Sequence, residues 1–105
     1  MTSAELADLA VKICPNAPLG LGIVRAVHIL REAGIHTLES CEGGEGHAFA
    51  EPTINFHGTA GDGWRALAVC LDYRLPVAHL HRVWDVTHGE VDGPYWQVVF
   101  KTRID

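Results

Sequence analysis

The sequence predicts a single α+β domain with the order α-α-β-β-α-β-β, a mainly antiparallel sheet carrying its helices on one face. Three observations lead there. Apolar residues recur at helical spacing in three separate stretches. Short runs rich in β-branched and aromatic residues, one of them cleanly alternating, lie between and after them. The breaks between these segments are brief and rich in Gly and Pro, so the 105 residues hold one domain and no linker.

Thr2 followed by Glu5 is a capping-box pattern that opens a first helix, with Leu6, Leu9, Ala10 and Ile13 on one face. Pro15 and Pro18 require it to end near Cys14. Asn16-Ala17-Pro18 reads as the cap and first turn of a second helix, buried through Ile23, Val24, Val27 and Leu30 and stopped by Gly34. Ile35 to Cys41 forms a first strand, and Glu42 to about Glu51 a loop. A second strand follows Pro52, with Ile54 and Phe56 on one side and Thr53, Asn55 and His57 on the other. A third helix is expected after Gly58, capped by Asp62, with Trp64, Leu67, Ala68, Leu71 and Leu75 on its buried face. Val77–Val86 and Tyr95–Lys101 form a closing hairpin around a long loop, Thr87 to Pro94. From Pro18 onward the pattern is two αββ units in tandem, without repetition of the residues themselves.

Charge narrows the function. Eight Lys and Arg against 13 Asp and Glu give a net charge of −5, which argues against nucleic acid or anionic membrane as partner. The longest apolar stretch, Leu19 to Leu30, is interrupted by Arg25 and His28 and is too short to span a bilayer. The N-terminal segment has two acids and no apolar core of a signal peptide. Cys14, Cys41 and Cys70 show no disulfide spacing. These features lead to the expectation of a reduced, cytoplasmic protein.

Chemistry concentrates in Ser40-Cys41-Glu42-Gly43-Gly44-Glu45-Gly46-His47. A cysteine at a strand end, followed by glycines that permit positive φ, sits where backbone N–H groups can converge as an anion nest. Such donors favour the thiolate and make Cys41 a nucleophile, with His47 returning across the loop as proton donor or acceptor and Ser40 offering a hydroxyl. Cys-x5-Arg phosphate chemistry is disfavoured, because His47 stands where the arginine would be and Glu42 and Glu45 add negative charge. Neither a Walker loop nor a dinucleotide fingerprint is present. The structural alternative is that the glycines only make a tight connection and Cys41 is a small packing residue.

The run Gly34-Ile35-His36-Thr37-Leu38-Glu39-Ser40-Cys41-Glu42-Gly43-Gly44-Glu45-Gly46-His47, with Pro52-Thr53-Ile54-Asn55-Phe56 after it, resembles a segment of small bacterial and phage-borne proteins. Those carry a helix, a Gly-Ile strand, a Ser-Cys loop with glycine and a second strand. The resemblance covers about a quarter of the chain; it implies a bacterial or prophage origin and no particular activity. A fainter one is to the wybutosine-synthesis methyltransferases, from which Glu42-Gly43 departs where they have an arginine.

Three functions compete on these residues. The first is a small-molecule or anion-binding domain, with or without a thiol-dependent reaction, in which Cys41 and His47 are catalytic. Ser40, Gly43, Gly44 and Gly46 bind ligand, joined by His57, His79 and His81 on a shared sheet face. The second is a protein-interaction or regulatory module, self-association into a homodimer included, using an edge strand such as Tyr95–Lys101. The third is a zinc site built from Cys41, His47 and His57 with Glu42 or Glu45, should the flanking strands bring Cys41 and His57 together. No cofactor is named by any motif. Trp84 and Trp96 are expected to face each other across the final hairpin, with Trp64 as a third core anchor.

Overall fold

The computed structural model describes residues 1–16 and 19–104. Helix α1 (Ser3–Ile13) and helix α2 (Val24–Glu32) precede strands β1 (His36–Cys41) and β2 (Thr53–His57); helix α3 (Ala60–Asp72) precedes strands β3 (Val77–Thr87) and β4 (Glu90–Phe100). The four strands form one sheet in the order β1-β2-β4-β3, antiparallel throughout. This is the α+β architecture that the hydrophobic periods predict. No described helix is long and apolar enough to cross a membrane.

Local chemistry explains most boundaries. The Thr2–Glu5 capping box forms in both directions, and Cys14 closes α1. At the end of α2, Gly34 takes φ +82°. Its N–H donates to Arg31 O at 2.9 Å and the Ile35 N–H to Leu30 O at 3.0 Å, the paired bonds of a Schellman ending. The start of α2 differs from expectation. The helix begins at Val24 after a turn through Leu21, Gly22 and Ile23, and Ala17 and Pro18 lie outside the described residues.

Helix α3 departs twice. Its cap is Thr59 rather than Asp62, which is the N3 partner of a second capping box. Its buried face is Gly63, Ala66 and Cys70, whereas Trp64 is 64% exposed and Leu71 57%. The reason lies at Gly63: the Trp96 indole fills the space where a Cβ would stand, so the helix rests its smallest residues on the sheet. Trp96 also donates its indole N–H to Thr59 O at 2.9 Å and carries the Arg82 guanidinium 4.5 Å from its ring centroid.

One sheet face, bearing Ile54, Phe56, Trp96, Val98 and Phe100, packs with Ile23, Ala26, Val27, Leu30 and Cys70 of the helical layer into the main core. Leu6 and Ala10 of α1 form a smaller cluster with Val24. The opposite sheet face is polar. Its rows read Cys41, Thr53, Val99, His79 and then Glu39, Asn55, Gln97, His81, from the registers of adjacent strands. Gln97 donates to Asn55 Oδ1 at 3.1 Å, giving the carbonyl of the buried Asn55 amide a partner at the sheet centre.

The hairpin also corrects three expectations. It closes through a two-residue turn, His88-Gly89, both at positive φ (53° and 78°), as a type I′ turn requires, so the strands run on through most of the expected loop. The register pairs Trp96 with Arg82 rather than with Trp84, which is 55% exposed. Strand β4 lies between β2 and β3, so Tyr95–Lys101 is not an edge; the edges are β1 and β3.

Candidate functional site

Cys41 ends β1, and the chain then turns through Glu42, Gly43 and Gly44 before returning to β2. Gly43 is fixed at this turn by two constraints. Its φ is +80°, and any Cβ would stand 2.6 Å from the Pro52 nitrogen, where the two ends of the loop meet. Gly44 and Gly46 also hold positive φ, at 119° and 80°. The resulting path folds His47 back onto the strand end, with its Nδ1 3.7 Å from Cys41 Sγ. The Gly43 N–H donates to the same sulfur at 3.4 Å. Thiol, imidazole and one backbone donor therefore meet at a half-exposed position.

Two of the loop's donors are turned inward rather than toward a shared anion. The Gly44 N–H is taken by Ala50 O at 2.9 Å and the His47 N–H by Gly44 O at 3.2 Å, so these donors close the loop on itself. A positive charge comes instead from Arg103, 60 residues beyond Gly43. Its Nη2 donates to Gly43 O at 2.9 Å and lies 3.7 Å from Glu42 Oε1. A Cβ on Gly44 would sit 3.1 Å from that Nη2 and 3.5 Å from the His47 ring, so guanidinium and imidazole flank the bare Gly44 backbone. Glu42 Oε2 in turn accepts the Gly22 N–H at 3.0 Å. Glu42 and Arg103 thus tie the loop to the approach to α2 and to the C-terminal segment, where Ile104 N–H also bonds Gly22 O at 2.7 Å. The sequence offers Glu42 only as an alternative zinc ligand, and Arg103 does not stand out as part of a site. The only local sign is the placement of an acid immediately after Cys41.

The other candidates lie elsewhere. Ser40 pairs with Ile54 and so belongs to the helix-facing side of the sheet, away from Cys41. Gly46 has nothing within 4 Å of its Cβ direction. The antiparallel register sets Cys41 opposite Thr53 and His57 opposite His36, about 13 Å apart along β2 at the usual strand rise. The strand pairing that was to unite Cys41 with His57 therefore separates them. His57 stacks instead on His36, ring centroids 6.2 Å apart. His79 and His81, centroids 5.4 Å apart, lie on β3, three strand positions across the sheet from β1. Among the described residues, no group of three or more His, Cys, Asp and Glu is placed to hold a metal ion.

Two depressions accompany these features. One of about 370 Å³ is lined by Ser3, Leu6, Leu21, Gly22, Glu42 and Arg103, beside the loop clamp. The other, about 170 Å³, lies on the polar sheet face among Leu38, Glu39, Asn55, Asp85 and Tyr95. Burial, with the neighbouring Asp85 carboxylate, raises the Tyr95 hydroxyl above its ordinary pKa. Cys70, by contrast, is enclosed in the core, and burial pushes its thiol up to about 11. No protein-family model matches the chain, and neither a curated protein nor a solved structure matches it.

Proposed function

We propose that this protein is a small-molecule-binding domain that acts through the Cys41 thiol, with His47 as its proton acceptor and donor. The observation that supports the reading is the pair itself, Sγ 3.7 Å from Nδ1, with the Gly43 N–H aimed at the sulfur. In the proposed step His47 takes the thiol proton and the sulfur attacks an electrophilic carbon of the ligand. The imidazolium then returns the proton to the departing group. Gly43 stabilises the charged sulfur. Arg103, beside His47 and Gly44, favours ligands that carry a carboxylate or another anionic oxygen near the reacting centre.

Alkylation kinetics test this. Replacing His47 with Ala is expected to slow modification of Cys41 by iodoacetamide at neutral pH by about tenfold or more, with the circular dichroism spectrum unchanged. An unchanged rate in His47→Ala would remove the histidine from the mechanism and leave Cys41 as an ordinary surface thiol.

A further inference from the structure

The outer edge of β3 has no part in the thiol chemistry, and it carries an inference independent of it. Strand β3 is terminal in the sheet. At the register shift between Val83 and Asp85, β4 advances from Tyr95 to Asp92 while β3 advances only from Val83 to Asp85. The extra residue is therefore in β4, around Gly93-Pro94, and β3 runs unbroken from His79 to Thr87. Natural edge strands are usually blunted by lysine, proline or a bulge. This stretch contains neither residue; β3's own bulge, at Ala78, lies before it, and the bulge within its span is in β4. It also exposes Trp84 at 55% and Val86 at 69%.

We infer that β3 pairs antiparallel with β3 of a second copy of this chain, about a two-fold axis at Val83, joining two four-stranded sheets into one. An axis perpendicular to the sheet keeps each face on its own side, so paired residues have numbers symmetric about the axis. Centred on Val83, the polar face sets His81 opposite Asp85 of the partner subunit, an imidazole N–H against a carboxylate. The other face sets Leu80 against Val86 of the partner subunit, an apolar pair, and Arg82 against Trp84 of the partner subunit; the Arg82 guanidinium stays over its own Trp96 and on Gly58 O, so the indole covers the apolar stem of that side chain. Each contact occurs twice by symmetry. Centring instead on Arg82 or on Asp85 places like charges directly opposite each other, which is destabilising. The strand is self-complementary in the Val83 register.

A single strand pair is at the low end of interface size, so the dimer should exchange with monomer at ~10–100 μM. Sedimentation velocity over a concentration series reads this directly, and single cysteines read the register. In a Cys14→Ser, Cys41→Ser background with the buried Cys70 left in place, Val83→Cys sets two thiols across the axis at about 5 Å between Cα atoms. Val86→Cys sets them about 20 Å apart. The expected result is reversible dimerisation of the wild type, and oxidative cross-linking of Val83→Cys at least tenfold faster than Val86→Cys. Asp85→Lys, at an exposed position, is expected to weaken the dimer at least tenfold with an unchanged circular dichroism spectrum. A wild-type monomer throughout the range would overturn the inference. So would cross-linking of Val86→Cys as fast as Val83→Cys, or an Asp85→Lys dimer as tight as wild type.

Discussion

Replacing Glu42 with Ala should destabilise the protein and loosen the thiol loop together. The Glu42 side chain is only 18% exposed, and its Oε2 holds the N–H of buried Gly22 at 3.0 Å. A hydrogen bond to a charged acceptor contributes ~1.5–3 kcal/mol. The ion pair with Arg103, at 3.7 Å and with that partner 54% exposed, adds at most ~1 kcal/mol after screening. The sum is a loss of about 2–3 kcal/mol, or ~8–24 °C in melting temperature for a domain of this size. Glu42→Gln keeps an oxygen for Gly22 and gives up only the charge, so it should lose less than half as much. Urea denaturation followed by circular dichroism measures both variants. A loss below about 0.5 kcal/mol for Glu42→Ala, or equal losses for the two variants, would refute the assignment of Glu42 as the acceptor that anchors the loop.

Gly63→Ala should destabilise by ~1–2 kcal/mol by denaturant titration, although alanine normally favours a helix interior, because its methyl overlaps the Trp96 indole; a gain in stability would show that the contact can relax. Hydrogen bonding by the Thr59 N–H, with the Arg65 guanidinium beside it, holds the Asp62 carboxyl below its ordinary pKa. Its contribution is therefore full above the ordinary carboxylate range and is lost as pH falls through the folded value. Asp62→Asn should flatten the acid side of the melting-temperature profile, roughly pH 5 to 2, and a profile superimposable on wild type would contradict this. Cys70, raised to about 11 by burial, should escape alkylation in the native protein and react only after denaturation. Modification of Cys70 under native conditions would mean that the core opens locally.

Local signals carried much of this structure. The Thr2–Glu5 box, the Gly34 stop and the alternation around Ile54 and Phe56 each act within a few residues, and each occurs as read. What failed depends on tertiary fit. The periodic face of α3 pointed to Trp64 and Leu71, but Trp96, from a distant strand, selects Gly63 and Ala66 by volume. The hairpin register turned on whether His88 accepts a left-handed conformation beside Gly89, which residue type alone does not reveal. The same holds for the site. The Cys41-to-His47 spacing and the loop glycines made a returning imidazole readable. Strand register, invisible in the sequence, separates His57 and turns Ser40 to the other face. Arg103 enters from 60 residues away, a proximity that no local pattern encodes.

The most direct measurement compares thiols within one native molecule. Cys14 and Cys41 are both half-exposed, so they differ mainly in their surroundings, and Cys41 alone has His47 and the Gly43 N–H beside its sulfur. Limiting iodoacetamide at neutral pH, followed by peptide mass spectrometry, gives their relative rates. The thiol account predicts Cys41 modified at least tenfold faster than Cys14. Equal rates, or faster labelling of Cys14, would contradict it.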